Sequence, residues 1–165
     1  MRYAAEQDKA SKITTHLLII LIMLIGFRQA TAVSNSSMAT TIMLFILIPA
    51  LLLAWCYSPR YYLLTATSII IKGHLRTITI PLEEVLRLRS IEEEDLGQSA
   101  RVFASGGVFG YLGAYRSVEL GDYQRWCTNN EHMVLIESAT TKWVISPSNS
   151  AEFIREVNKI INEVK

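Results

Sequence analysis

MATTIMLFILIPALLLAWCYSPRYY, residues 38–62, changes physical character within a few positions. Its apolar part, Met38–Tyr57, has no side chain charged at neutral pH. As a helix rising about 1.5 Å per residue it reaches roughly 30 Å, the thickness of a bilayer's hydrocarbon core. Beyond Ser58-Pro59 the pattern turns into short alternating segments that carry many charges. A membrane-spanning helix followed directly by a β-rich domain is the expectation.

Upstream lies a second apolar run, ITTHLLIILIMLIGF (residues 13–27). It spans a membrane if Thr14 and Thr15 bond back to helix carbonyls and Lys12 and Arg28 reach the two interfaces. The rival is a cleaved secretory signal, with Arg2, Lys9 and Lys12 as its basic start and Ala30-Thr31-Ala32 as a small-residue cleavage site. Arg28 close before that cut, and the second apolar run just after it, favour a helical hairpin with spans at about 13–28 and 38–57. Arg2, Lys9 and Lys12 precede the hairpin, Arg60, Lys72 and Arg76 follow it, and its loop has only Arg28. Both termini are therefore expected in the cytoplasm, in a multi-pass protein of the cell (plasma) membrane. Trp55, Tyr57, Tyr61 and Tyr62 are then the interface anchors.

The spans offer little chemistry. Pro49 is expected to bend the second. Gly26 with Ala30, and Ala50 with Ala54, have the spacing of small residues that lets helices approach. His16 sits near the cytoplasmic end, and the other span has no polar partner at its depth, so a proton relay is not expected. Asn35-Ser36-Ser37 matches a glycosylation sequon and is read as chance.

Residues 1–12 read as a cytoplasmic tail and 58–165 as one domain. From Arg60 on there are twelve basic and thirteen acidic residues, a balance that argues against nucleic acid and against strong attraction to anionic lipid. Cys56 and Cys127 make neither a disulfide framework nor a metal site. The alternation of β-branched and aromatic residues predicts strands at 61–65, 68–72, 75–80, 84–91, 101–104, 117–119, 123–128, 133–137 and 142–145. Hairpin turns are expected at 128–131 and 138–141. Asn149 and Glu152 form a capping box, and Phe153, Ile154, Val157, Ile160, Ile161 and Val164 make one apolar stripe on a final helix.

About seven strands closed by one helix give an α+β domain, and specific segments narrow the reading. GVFGYLG (107–113), Trp126-Cys127-Thr128 paired with Met133-Val134-Leu135-Ile136, and Val144-Ile145-Ser146-Pro147 leading into Glu152-Phe153-Ile154 resemble the bacterial pleckstrin-homology-like domains. The resemblance covers about two-thirds of the chain. It implies an antiparallel β-sandwich or barrel with a C-terminal capping helix, non-enzymatic binding or scaffolding, and self-assembly, with no known ligand. Phosphoinositide-binding members of the wider superfamily cluster Lys and Arg after the first strand. Here only Lys72, His74 and Arg76 are available there, as headgroup contacts of a tethered domain or as a solvated hairpin edge.

No active site assembles from the residues. GGVFGYLG (106–113) lacks the GxGxxG spacing and the lysine of a phosphate-binding loop. Cys127 and His132 lack an orienting acid, and Glu92–Asp95 reads as a repelling, solvated tip. No catalytic residue, metal, cofactor or specific small molecule is therefore expected. Two classes of function remain. In one, the chain is a membrane-tethered interaction module that meets a protein partner or another copy of itself through its sheet edge or through its Phe109, Tyr111 and Tyr115 surface. In the other, it is a small sensor or channel-like subunit whose hairpin does the work under the domain's control. Polar residues lie only at the ends of the spans, which favours the module.

Overall fold

The computed structural model of the chain describes residues 1–31 and 38–164. Ala32 and the Asn35-Ser36-Ser37 sequon lie outside them. A short strand, β1 (Arg2–Ala4), leads into two long apolar helices, α1 (Lys9–Thr31) and α2 (Met38–Tyr57). Their outward side chains, among them Leu17, Leu21, Leu24, Phe27, Phe45, Ile46 and Leu53, are exposed, and no residue of α2 is buried. At the far end Gln29 Nε2 donates to Thr41 Oγ1 at 2.9 Å, linking the helices. A Cβ on Gly26 would meet nothing within 4 Å, so this small residue does not mark a close helix approach. Helix α2 runs unbroken through Pro49.

Nine more strands follow: β2 (Pro59–Leu64), β3 (Ser68–Gly73), β4 (Thr77–Pro81), β5 (Val85–Ile91), β6 (Ser99–Gly106), β7 (Tyr111–Ser117), β8 (Gly121–Cys127), β9 (Met133–Ser138) and β10 (Lys142–Ile145). Helix α3 (Ser150–Val164) ends the described chain. The α+β layout is as expected, but the described residues hold ten strands, not about seven. They form a four-stranded sheet in the order β1-β2-β3-β4 and a six-stranded sheet in the order β5-β9-β10-β8-β7-β6.

Three details depart from the sequence expectations. Residues 117–119 are the end of β7 and a turn. Val118 is 90% exposed there, and Ser117 Oγ accepts the Leu120 N–H at 3.0 Å. The strand itself is YLGAYRS, whose glycine hides the alternation of Tyr111 and Tyr115 against Leu112. The 128–131 segment is not a hairpin turn: β10 lies between β8 and β9, parallel to the first and antiparallel to the second. Finally, β1 pairs with β2, Ala4 opposite Tyr61, so residues 2–4 complete the first sheet.

One core fills the space between the sheets and α3. Tyr62, Ile69, Val134, Ile136, Ile145, Phe153 and Val157 are all wholly buried in it. The stripe of α3 supplies Phe153 and Val157, and Asn149 caps it: Asn149 Oδ1 accepts the Glu152 N–H at 3.2 Å, while Glu152 Oε2 accepts from the Asn149 side-chain amide at 2.8 Å in place of the backbone N–H of a full capping box. A second core, on the opposite face of the six-stranded sheet, gathers Ile91, Leu96, Tyr115, Tyr123, Cys127, Met133, Leu135 and Val144. Strand β9 serves both, which is why Met133-Val134-Leu135-Ile136 is a continuous apolar run and not an alternating one.

Candidate functional site

The two helices join the domain at one place. Helix α1 follows β1, α2 runs into β2, and those strands are neighbours. The helical hairpin thus takes the position of a loop between two paired strands. The segment from β1 to α1 is held along its length. Ala5 N–H donates to the Arg60 carbonyl (3.2 Å), Ser148 N–H to the Ala4 carbonyl (3.0 Å) and Asp8 N–H to the Thr128 carbonyl (3.0 Å). Thr128 Oγ1 donates to the Glu6 carbonyl at 3.0 Å. Asp8 then caps α1, its Oδ1 accepting the Ser11 N–H at 2.6 Å, and its charge suits the helix's positive end.

The turn between β6 and β7 reaches both helices through one residue. Phe109 N–H donates to Thr15 Oγ1 of α1 at 3.0 Å, and its carbonyl accepts the Ser58 hydroxyl, one residue past α2, also at 3.0 Å. Phe109 has φ 58°, a left-handed conformation that a residue with a Cβ adopts at a cost of about 1–3 kcal/mol. Its neighbour must be glycine. Gly110 has φ 130°, and a Cβ there would stand 2.5 Å from the Cys127 carbonyl oxygen. Around α2's end, Leu75 N–H donates to the Cys56 carbonyl (3.2 Å), and the Trp55 and His74 rings lie 4.1 Å apart. One of the last helix carbonyls is thereby satisfied by the domain.

Ser11 and Thr15, one helical turn apart, are the buried residues of α1, and they mark the face it turns to the domain. Sequence reasoning missed Ser11 and Ser58, and it gave Thr15 a helix carbonyl as partner where the structure has the Phe109 N–H. The available signal was a polar pair at i, i+4 in an apolar helix, a spacing that places two side chains on one face.

The expected headgroup contacts lie together at the β3–β4 hairpin, Lys72 near the end of β3 and His74 and Arg76 in the turn. Lys72 is exposed, its Nζ donating to Thr77 Oγ1 at 2.8 Å, and the Arg76 guanidinium lies 5.4 Å from the Trp126 ring. His74 is half-buried against Trp55, and Leu75 at the tip is 79% exposed. Trp55 and Tyr57 are exposed at the end of α2, and the Arg2 guanidinium covers Tyr61 at 4.0 Å.

Tyr62 lies elsewhere. Alternation in β2 turns it into the core, wholly buried; its hydroxyl donates to the Trp126 carbonyl at 2.8 Å, and burial pushes its ionisation upward. Phe109, Tyr111 and Tyr115 likewise form no single open surface. Phe109 and Tyr111 are half-buried, and Tyr115 is 4% exposed and stacked on Tyr123 at 5.7 Å, because β7 turns Tyr115 into the second core.

Cys127 is wholly buried, its thiol donating to the Val144 carbonyl at 3.2 Å, and burial pushes it up to about 11, so it is neutral at physiological pH. His132, its imagined partner, is exposed. Ser146 Oγ accepts the N–H groups of Thr128 (2.9 Å) and Asn129 (3.2 Å), holding the crossover from β8 against the end of β10.

A family model described as Bacterial PH domain matches residues 60–161. The chain belongs to the bacterial PH domain family. The match begins inside β2 and ends within α3, so β1 and both apolar helices lie outside it. This PH domain therefore draws one strand of its first sheet from beyond the matched region. Searches of curated proteins and of solved structures gave no match.

Proposed function

We propose that the chain is an integral membrane protein whose two helices hold the PH domain against the cytoplasmic face of the bilayer as a non-enzymatic interaction module. PH-like domains are generally interaction modules, and the exposed apolar flanks of α1 and α2 call for lipid around them. The carrying observation is the double tether of Phe109 to Thr15 and Ser58. With one residue between α2 and β2 and four between β1 and α1, it supports a single face of the domain turned to the bilayer. Cleavage after Ala32 would remove both α1 and β1, which supports a retained anchor over a signal. The basic flanks still favour cytoplasmic termini. In this pose Leu75, flanked by Lys72 and Arg76, meets the headgroup layer.

The same tether favours a second reading, a sensor. One strained residue bonded to α1 and to the residue just past α2 links any shift between the helices to the β6–β7 turn.

Cross-linking in intact membranes, followed by purification in mild detergent, tests the module. Recovery of a homo-oligomer or a defined protein partner is expected. Recovery of monomer alone would count against the interaction role and leave the sensor.

A further inference from the structure

The second core holds a cation that forms no direct ion pair among the described residues, although the Asp8 and Glu93 carboxylates both act on the Tyr111 ring beside it. Arg125 on β8 is 4% exposed. Its Nη2 donates to Asn130 Oδ1 at 2.7 Å and to Met133 Sδ at 3.3 Å, while its Nε is buried with no hydrogen-bond partner. Its charge rests on two aromatic faces, Tyr111 at 4.7 Å and Tyr115 at 5.8 Å from their ring centres. Across the strand pair from Arg125 stands Gly113, which offers no side chain to fill the space. Cation–π contacts offset only part of the cost of desolvating a guanidinium.

A cleft of about 200 Å³ opens at this point, lined by Arg125, Arg101, Tyr111, Tyr115 and Glu93 among others. Arg101 is exposed at its rim. Glu93, also exposed, accepts from Asn130 Nδ2 at 3.0 Å. Asn130 therefore separates the Glu93 carboxylate from the Arg125 guanidinium and bonds to both. A liquid water takes about 30 Å³, so the cleft has room for one tetrahedral oxyanion with a few waters.

We infer that this cleft binds a single oxyanion of the phosphate class, with Arg125 supplying the buried charge, Arg101 a second one at the rim, and Glu93 acting as a built-in competitor. The guanidinium fork suits a tetrahedral oxyanion, and bonds between two ions are the strong ones. The site lies on β6, β7 and β8 and the Glu94–Leu96 turn, away from the β3–β4 hairpin that carries Lys72 and Arg76.

The test titrates inorganic phosphate, at constant ionic strength, into the full chain in phosphatidylcholine nanodiscs and follows the thermal midpoint. A saturable rise is expected. Arg101→Gln should raise the half-saturating concentration about tenfold, and Glu93→Gln should lower it. Arg125→Gln should abolish the response. Should that variant fail to fold, the two rim variants decide, since both side chains are exposed. No saturable rise, or the same half-saturation in wild type, Arg101→Gln and Glu93→Gln, overturns the site. Nanodiscs containing phosphatidylglycerol identify the source. Loss of the free-phosphate response there assigns the site to a lipid headgroup, and an unchanged response assigns it to a free anion; both outcomes support the site.

Discussion

Gly110→Ala is expected to lower the thermal midpoint of the detergent-solubilised chain by roughly 10–20 °C, the equivalent of about 3 kcal/mol in a domain of this size. Two costs combine. The new residue must hold φ 130°, where a Cβ is strained, and that Cβ must displace the Cys127 carbonyl from 2.5 Å. Neither atom is the end of a flexible side chain, so the turn itself must move. Because Phe109 is the adjacent residue, that movement also pulls its N–H from Thr15 and its carbonyl from Ser58. Gly107→Ala is the control: its φ is 95°, but its Cβ would meet nothing within 4 Å, so only the strain remains, about 1 kcal/mol. Differential scanning fluorimetry distinguishes the two variants, and equal losses would show that the close approach at Gly110 is not the cause.

Tyr3→Ala should cost about 3–5 kcal/mol, although position 3 lies outside the matched family region and before the apolar helices. The ring is 6% exposed and sits edge-on to Phe153 at 5.2 Å, so its removal empties a space between β1 and α3. Tyr3→Phe keeps that packing. It removes only a hydroxyl whose described contact is the Met1 sulfur at 3.8 Å, a loss of under about 1 kcal/mol. The ratio of the two losses in chemical unfolding reads whether β1 belongs to the domain. A small loss in both variants would show that residues 2–4 behave as a tail.

Much of the fold was legible because hydrophobic period reports burial. Alternation marked β3, β5 and β10 nearly to the residue, and the stripe from Phe153 to Ile161 marked α3. Three residues of β1 are too short to show any period, and the glycine of β7 masked one that was there. Position of β10 between β8 and β9 is a matter of long-range pairing, on which local pattern is silent.

The site was legible only at its edges. Lys72, His74 and Arg76 stand out as charge and do lie together at one hairpin, but Tyr62 and Tyr115 look like surface aromatics and are core, because sequence alone does not say which face of a strand is inward. The contacts that join domain to helices are largely backbone groups meeting Thr15, Ser58 and the Cys56 carbonyl, and backbone bonds leave no trace in side-chain composition.

The central claim is that the domain is clamped with its β3–β4 and β6–β7 turns toward the bilayer. Nitroxide labels at Leu75→Cys and Val118→Cys, in a Cys56→Ala background reconstituted in liposomes, test it through collisions with oxygen and with a water-soluble nickel chelate. Val118 follows the seven residues of β7 away from the Phe109 turn, about 20 Å at roughly 3.3 Å per residue. The account predicts an oxygen-accessible, chelate-shielded label at 75 and a chelate-accessible one at 118. Equal chelate access at both positions would contradict it.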